Sequence, residues 1–180
     1  MEEPKEYFSK IYDQYVAQIY RFVYLKTGSQ DIAEDLAAEV FVRAWESYQA
    51  SLGPEEATID NMRAFLYGIA RNIVADHYRR EKKVRVVSVE ETQIEVEYYS
   101  DGLEEQVSVR IEVEKIQRVI VDLPQDYQDL IIWRYLEEMS VPEIAELTGK
   151  TEDNVRVGLH RGIKMLREKL PIEAKLAVID

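Results

Sequence analysis

Three stretches of apolar residues recur at a spacing of three and four in the first half of the chain. Phe8, Ile11, Tyr12, Tyr15, Ile19, Phe22 and Val23 form one stripe. Ile32, Leu36, Val40, Phe41, Ala44, Trp45 and Tyr48 form a second, and Phe65, Leu66, Ile69, Ile73, Val74 and His77 a third. Residues so spaced fall on one face of a helix of about 3.6 residues per turn, so the pattern predicts three amphipathic helices between Tyr7 and Arg80 that bury one shared core. Thr27-Gly28-Ser29 punctuates the first gap, with Ser29 as N-cap and Asp31 in the first turn of the next helix. The second gap, Gln49 to Asp60, contains Gly53-Pro54 and reads as a surface loop. Core packing alone accounts for every apolar position in these stripes.

From Glu81 to about Arg110 the helical spacing fails. Ile94, Val96 and Tyr98 alternate with Glu95 and Glu97, which hints at a short extended segment. Acids outnumber bases there and no strand partner lies nearby, so a flexible acidic linker is the better reading and a marginal strand the lesser. Helical spacing returns at Ile111. Ile111 to Val121 predicts a helix ending at Leu123-Pro124, and Tyr127, Leu130, Ile131, Trp133, Arg134 and Leu136 belong to the next. Ser140-Val141-Pro142-Glu143 fits a capping box, in which the Ser140 hydroxyl accepts from an orphan N–H and Glu143 reaches back to the Ser140 N–H. A short helix from Val141 to Leu147 stops at Gly149, a residue suited to the left-handed conformation after a helix. Thr151 then caps a long final helix with Val155, Leu159, Ile163, Leu166 and Leu170 on its inner face, closed by Pro171. The predicted fold class is all-α, with a helical bundle over 1–81, an acidic linker over 82–110 and a helix-turn-helix domain over 111–180.

Composition narrows the function. The 180 residues are 46% hydrophobic and 32% charged, a balance suited to soluble, surface-rich helices. There is no cysteine, which removes disulfide and thiolate chemistry. His77 and His160 are the only histidines and lie far apart, so neither an imidazole metal site nor any cofactor is expected. The start, Met1-Glu2-Glu3-Pro4-Lys5, lacks the features of a signal peptide, and no apolar run is long enough to span a bilayer. The chain therefore reads as cytoplasmic, without direct membrane insertion. Its net charge of −12 argues against nucleic acid. Screening confines a surface charge to about 10 Å, however, so local charge decides. Between Arg63 and Arg85 seven Lys/Arg face only Asp76 and Glu81; between Lys150 and Lys169 six face Glu152, Asp153 and Glu168. Two basic islands sit in an acidic chain.

Ser140 to Arg161 carries the most specific signal. A short capped helix, a glycine turn and a second helix bearing cations describe a helix-turn-helix unit, whose second helix enters the major groove. Thr151, Asn154, Arg156, His160, Arg161 and Lys164 supply groups that donate to base edges and phosphates, with Arg156 and His160 on one face. The plainer alternative is a helical hairpin whose cations offset nearby acids; agreement of turn, caps and cations favours DNA binding. Along Arg63 to Arg80, cations and aromatics interleave, which suits unstacked single-stranded DNA, although composition alone leaves an ordinary amphipathic helix as good a reading. Asp31, Glu34, Asp35 and Glu39 form an acidic face that by itself reads as solvated surface.

Together these stretches resemble a known family. Asp31 to Trp45 (DIAEDLAAEVFVRAW) and Phe65 to Asn72 (FLYGIARN) resemble region 2 of extracytoplasmic-function sigma factors. Leu123-Pro124, Ser140 to Gly149 and Asn154 to Leu166 resemble region 4 of the same group. The resemblance covers nearly the whole chain in the right order, with an acidic linker between and no room for region 3. It implies a monomeric transcription initiation factor, not an enzyme, partnered by core RNA polymerase, promoter DNA and an anti-sigma factor. The helix from Ile32 to Trp45 should dock on the β′ clamp helices through Asp31, Glu34, Asp35, Glu39 and Arg43, and region 4 should reach the β flap. Arg63, Arg71, Asn72, Asp76, Arg79 and Arg80 should serve the minus-ten element as a non-template single strand, Asn72 standing at the family's base-pocket position. Arg156, His160 and Arg161 should read the minus-thirty-five element as duplex, and the linker should thread the RNA-exit path.

Val157-Gly158 departs from the small polar or basic residues many members carry, and Gly158 and Gly162 cost about 1 kcal/mol each in a helix. The loop before Asn61 is long and acidic, with Glu55, Glu56 and Asp60. A rival reading is a helix-turn-helix regulator acting without polymerase, which should dimerise on a palindrome. It leaves the basic aromatic helix at Arg63–Arg80 without a role. A hydrolase built on Glu34-Asp35 or Glu90-Glu91 lacks both a metal-ligand histidine and a phosphate loop.

Overall fold

The computed structural model describes residues 3–52, 59–85 and 117–169. The tip of the Gln49–Asp60 loop, the 82–110 linker beyond Arg85 with its Ile94–Tyr98 alternation, the start of the Ile111 helix and the Leu170-Pro171 terminus lie outside the described residues. Among those described, every regular element is a helix. The all-α class is as expected.

Helix α1, Pro4–Thr27, starts on a proline, whose missing N–H is harmless in a first turn, and ends on Gly28 in the left-handed conformation (φ 69°). Ser29 then caps α2, Gln30–Ala50, accepting from the Ile32 N–H at 3.4 Å. Asn61 caps α3, Met62–Arg85, its side-chain oxygen accepting from the Ala64 N–H at 3.0 Å. Phe22, Val23, Val40, Phe41, Ala44, Leu66, Ile73 and Val74 from the three helices are buried together, as their spacing predicts. The outer members of the stripes are not: Tyr12 is 45% exposed while its ring packs edge-on to Phe41 at 4.8 Å.

The second half begins with α4, described over 117–121, which turns at Leu123-Pro124 into α5, Gln125–Ile131. Here the sequence predicts one continuous helix through Leu136. Instead α5 widens into a π-helical turn over Ile132–Leu136, in which the Glu137 N–H donates to the Ile132 carbonyl at 3.0 Å. Glu138 follows with φ 53°, the sole positive-φ residue other than glycine among those described. Helix α6, Val141–Thr148, carries the predicted capping box: Ser140 Oγ accepts from the Glu143 N–H at 3.3 Å, and Glu143 Oε2 accepts from the Ser140 N–H at 2.7 Å. Gly149 closes it at φ 64°. Thr151 accepts from the Asn154 N–H at 3.3 Å and so caps α7, Glu152–Lys169.

The two halves share one buried cluster. At its centre Phe22 of α1 stacks on Trp133 of the π turn, centroids 5.8 Å apart and planes within 2°. Tyr67 of α3 meets both rings edge-on, at 5.3 and 6.1 Å. Aromatic quadrupoles favour offset and edge-on contacts of this kind by about 0.5–1.5 kcal/mol per pair beyond area burial.

Candidate nucleic-acid interface

The capping box and the Gly149 turn set α6 against α7, and Val155 and Leu159 anchor α7 to the core. That leaves Thr151, Asn154, Arg156, His160, Arg161 and Lys164 all exposed, as a DNA-reading helix requires. Arg156 pairs with Glu152 at 2.6 Å and Asp153 at 3.1 Å on its own helix. Exposed pairs at this spacing are worth only about 0.3–0.5 kcal/mol, so a phosphate or guanine can displace them cheaply. Gly158 has a positive role that helix propensity conceals. A Cβ there would lie 2.5 Å from the Leu130 side chain, so the glycine lets α5 approach α7 closely. Val157 beside it is 48% exposed.

On α3 the predicted residues divide. Asn72, Arg79 and Arg80 are exposed, and Arg79 pairs with Asp76 at 2.7 Å. Arg63 and Arg71 instead face the second half. Arg63 donates to the Glu137 carbonyl at 2.7 Å and lies 3.6 Å from the Glu143 carboxylate. Arg71 holds Asp126 at 2.6 Å and Asp129 at 2.9 Å. Sequence reading placed both arginines with the single-strand contacts; the fold brings them to the seam between the halves.

The same seam contains charges that sequence reading did not single out. Lys26 and Asp129 form an ion pair with side chains only 1% and 2% exposed, with the Lys26 ammonium also 5.1 Å from the Phe22 ring centroid. Burial pushes the Lys26 pKa down, and the Asp129 carboxylate opposes that shift. Arg21 pairs with the buried Glu137 at 2.7 Å. Burial, and next the Glu137 carboxylate, raise the Tyr67 phenol well above its ordinary value, so it stays protonated. A signal was available in the sequence. Lys26 continues the Ile19, Phe22, Val23 stripe at helical spacing, and Asp129 stands one helical turn before Trp133, on the face that Trp133 buries. A charge on an apolar stripe points to a buried partner.

On α2 the predicted docking residues occupy the side away from the core. Asp31, Glu34 and Asp35 are exposed, and Glu39 pairs with Arg43 one turn on. Val42, 56% exposed, lies between them. Among the described residues no cluster of metal-binding side chains occurs and no helix is long and apolar enough to cross a membrane.

Comparison with known proteins matches this layout. Residues 11–84 match the family described as Sigma-70 region 2 and residues 113–166 that described as Sigma-70, region 4. The chain is 32% identical over 173 residues to the ECF RNA polymerase sigma factor SigW of Bacillus subtilis, covering 91% of this chain and 88% of that protein. It is 31% identical over 171 residues to the ECF RNA polymerase sigma factor BldN of Streptomyces coelicolor, covering 93% of this chain but only 62% of the longer relative. In fold it is similar to the sigma factor RpoE of Bartonella quintana, solved in complex with the anti-sigma factor NepR: the TM-score is 0.69 at 18% identity, over 96% of this chain and 98% of the other.

Proposed function

This chain belongs to the extracytoplasmic-function group of the sigma-70 family, and on that premise we propose that it binds core RNA polymerase in the cytoplasm and directs promoter recognition and strand opening, under the control of an anti-sigma factor and without catalytic activity of its own. The observation that carries this is the pairing of two separate polar faces on one chain. One is α7, with Asn154, Arg156, His160, Arg161 and Lys164 exposed; the other is α3, with Asn72, Arg79 and Arg80 exposed. A regulator acting alone uses the first and has no need of the second. The acidic face of α2 offers Glu34 and Asp35 to the β′ clamp helices, and the halves correspond to domains at 1–81 and 111–180.

The two faces read different forms of DNA. An amide such as Asn72 recognises a flipped base after the strands part, whereas a guanidinium such as Arg156 bridges guanine acceptors or a phosphate in intact duplex. With core polymerase, Arg156→Ala should weaken promoter binding by about 1–3 kcal/mol, visibly in the closed complex. Asn72→Ala should leave the closed complex nearly intact and reduce melting detected by permanganate. Loss of closed-complex binding by Asn72→Ala, with normal melting per bound complex, would remove α3 from strand opening.

A further inference from the structure

Helix α7 turns Val155, Leu159 and Gly162 inward. Val157 stands two residues from both Val155 and Leu159, so at about 3.6 residues per turn it lies on the opposite side. It is 48% exposed and takes no part in the core. Every other exposed residue of α7 is polar or charged, with Asn154 one turn before Val157 and Arg161 one turn after. Lys150, Asn154, Val157 and Arg161 line one groove between α5 and α7, so hydrogen-bond donors and an apolar group face the same space.

Nothing in the helix itself asks for valine there, because a β-branched residue is a poorer helix former than alanine or a straight-chain polar residue. What valine brings is stiffness. In a helix it keeps close to one χ1 rotamer, so its two methyls point in a fixed direction. Their base is fixed as well. A Cβ at Gly158 would come 2.5 Å from the Leu130 side chain and one at Gly162 3.2 Å from that of Ile131, so two successive turns of α7 sit tight on α5. Among the four bases, only thymine presents an apolar group in the major groove, its C5 methyl. We propose that Val157 is a specificity-determining residue that reads the C5 methyl of a thymine in the minus-thirty-five element, between the polar contacts of Asn154 and Arg161. This rests on the duplex-reading role proposed for α7. A methyl contact carries no charge, so it adds discrimination between bases without adding affinity for phosphate.

The test uses the full chain with core polymerase and a promoter duplex whose minus-thirty-five element is randomised. Bound duplexes are selected and sequenced. The parent chain should enrich thymine at one position, and Val157→Ala should lose that preference while keeping those at other positions. Val157→Ile, which retains the branched methyls, should keep it. On the selected duplex, replacing that thymine by deoxyuridine removes the methyl alone. Parent binding should weaken about fourfold, the worth of one buried methyl-sized group, whereas Val157→Ala should bind both duplexes equally. The dependence of binding on salt should be the same for both chains, because no phosphate contact is lost. Alanine is the better helix former at an exposed site, so Val157→Ala should unfold no earlier than the parent, which separates lost preference from lost fold. Three results would overturn the assignment of Val157: no thymine enriched by the parent, a thymine preference that survives Val157→Ala, or a deoxyuridine effect of equal size in both chains. Failure of the parent to select any minus-thirty-five sequence at all would instead overturn the duplex-reading role of α7 on which the assignment depends.

Discussion

Leucine at position 22 or at position 133 removes the Phe22–Trp133 stack while keeping apolar bulk in the core. Each ring is essentially buried, 0% and 1% exposed, so each substitution leaves a partly filled cavity. The cost should be about 1–2 kcal/mol for Phe22→Leu and somewhat more for Trp133→Leu, scaling with the volume lost. These are survivable changes against the roughly 5–15 kcal/mol that holds a domain folded. The informative quantity is the coupling. With centroids 5.8 Å apart and near-parallel planes, the pair should contribute about 0.5–1.5 kcal/mol that either single substitution abolishes, so the double variant should be more stable than the sum predicts by that amount. Guanidinium unfolding followed by far-ultraviolet circular dichroism measures all four corners of the cycle. Trp133→Leu also leaves Trp45 of α2 as the only tryptophan, so its fluorescence reports on the first half alone. If the halves are coupled, this change in the second half shifts the Trp45 transition to lower denaturant. Additivity within about 0.3 kcal/mol, together with an unmoved Trp45 transition, would refute a shared core.

Further outcomes follow from the helix ends. Ser140→Ala removes an N-cap and should cost about 1 kcal/mol in thermal or chemical unfolding of the second half. Hydrogen bonds from the Ser140 hydroxyl and N–H hold the Glu143 carboxyl below its ordinary 4.5. A depressed carboxyl stabilises the fold above its unfolded value and loses that contribution as pH falls through the folded one. The stability gap between the parent chain and Glu143→Ala should therefore be full at neutral pH and shrink below 4.5; a gap that persisted in acid would show that packing, not charge, made it. Glu138 holds φ 53°, so Glu138→Gly should raise the unfolding midpoint, by up to about 1 kcal/mol in equivalent stability, and a lower midpoint would show that the side chain has its own anchoring role.

Local physics wrote much of this protein legibly. Ser29, Ser140, Gly149 and Thr151 act within a few residues of themselves, because a cap needs only its own first or last turn. The apolar stripes announced α1, α2, α3 and α7 because a helix repeats its faces every few residues. The solvent-facing side of α7 was equally readable: once Val155 and Leu159 turn inward, Asn154, Arg156, His160 and Arg161 must turn out. The π turn at Ile132–Leu136 escaped, since its spacing is close to that of an α-helix and it arises where Trp133 seats against Phe22. The reason for Gly158 escaped as well, because a propensity scale contains no Leu130.

Tertiary structure alone decided the fate of the charges. Lys26 and Asp129 are 103 residues apart, and Arg21 and Glu137 are 116 apart. No periodicity links residues so distant, and the net charge of −12 averages over them. From the sequence, Arg63, Arg71 and Asn72 look like members of one basic face. In the fold, packing of the α1–α3 bundle against the second half brings Arg71 to the α5 carboxylates Asp126 and Asp129 and Arg63 to the Glu137 carbonyl and the Glu143 carboxylate of α6, and it leaves Asn72 exposed. An ion pair forms where two surfaces meet, and only the packing of the two halves determines where that is.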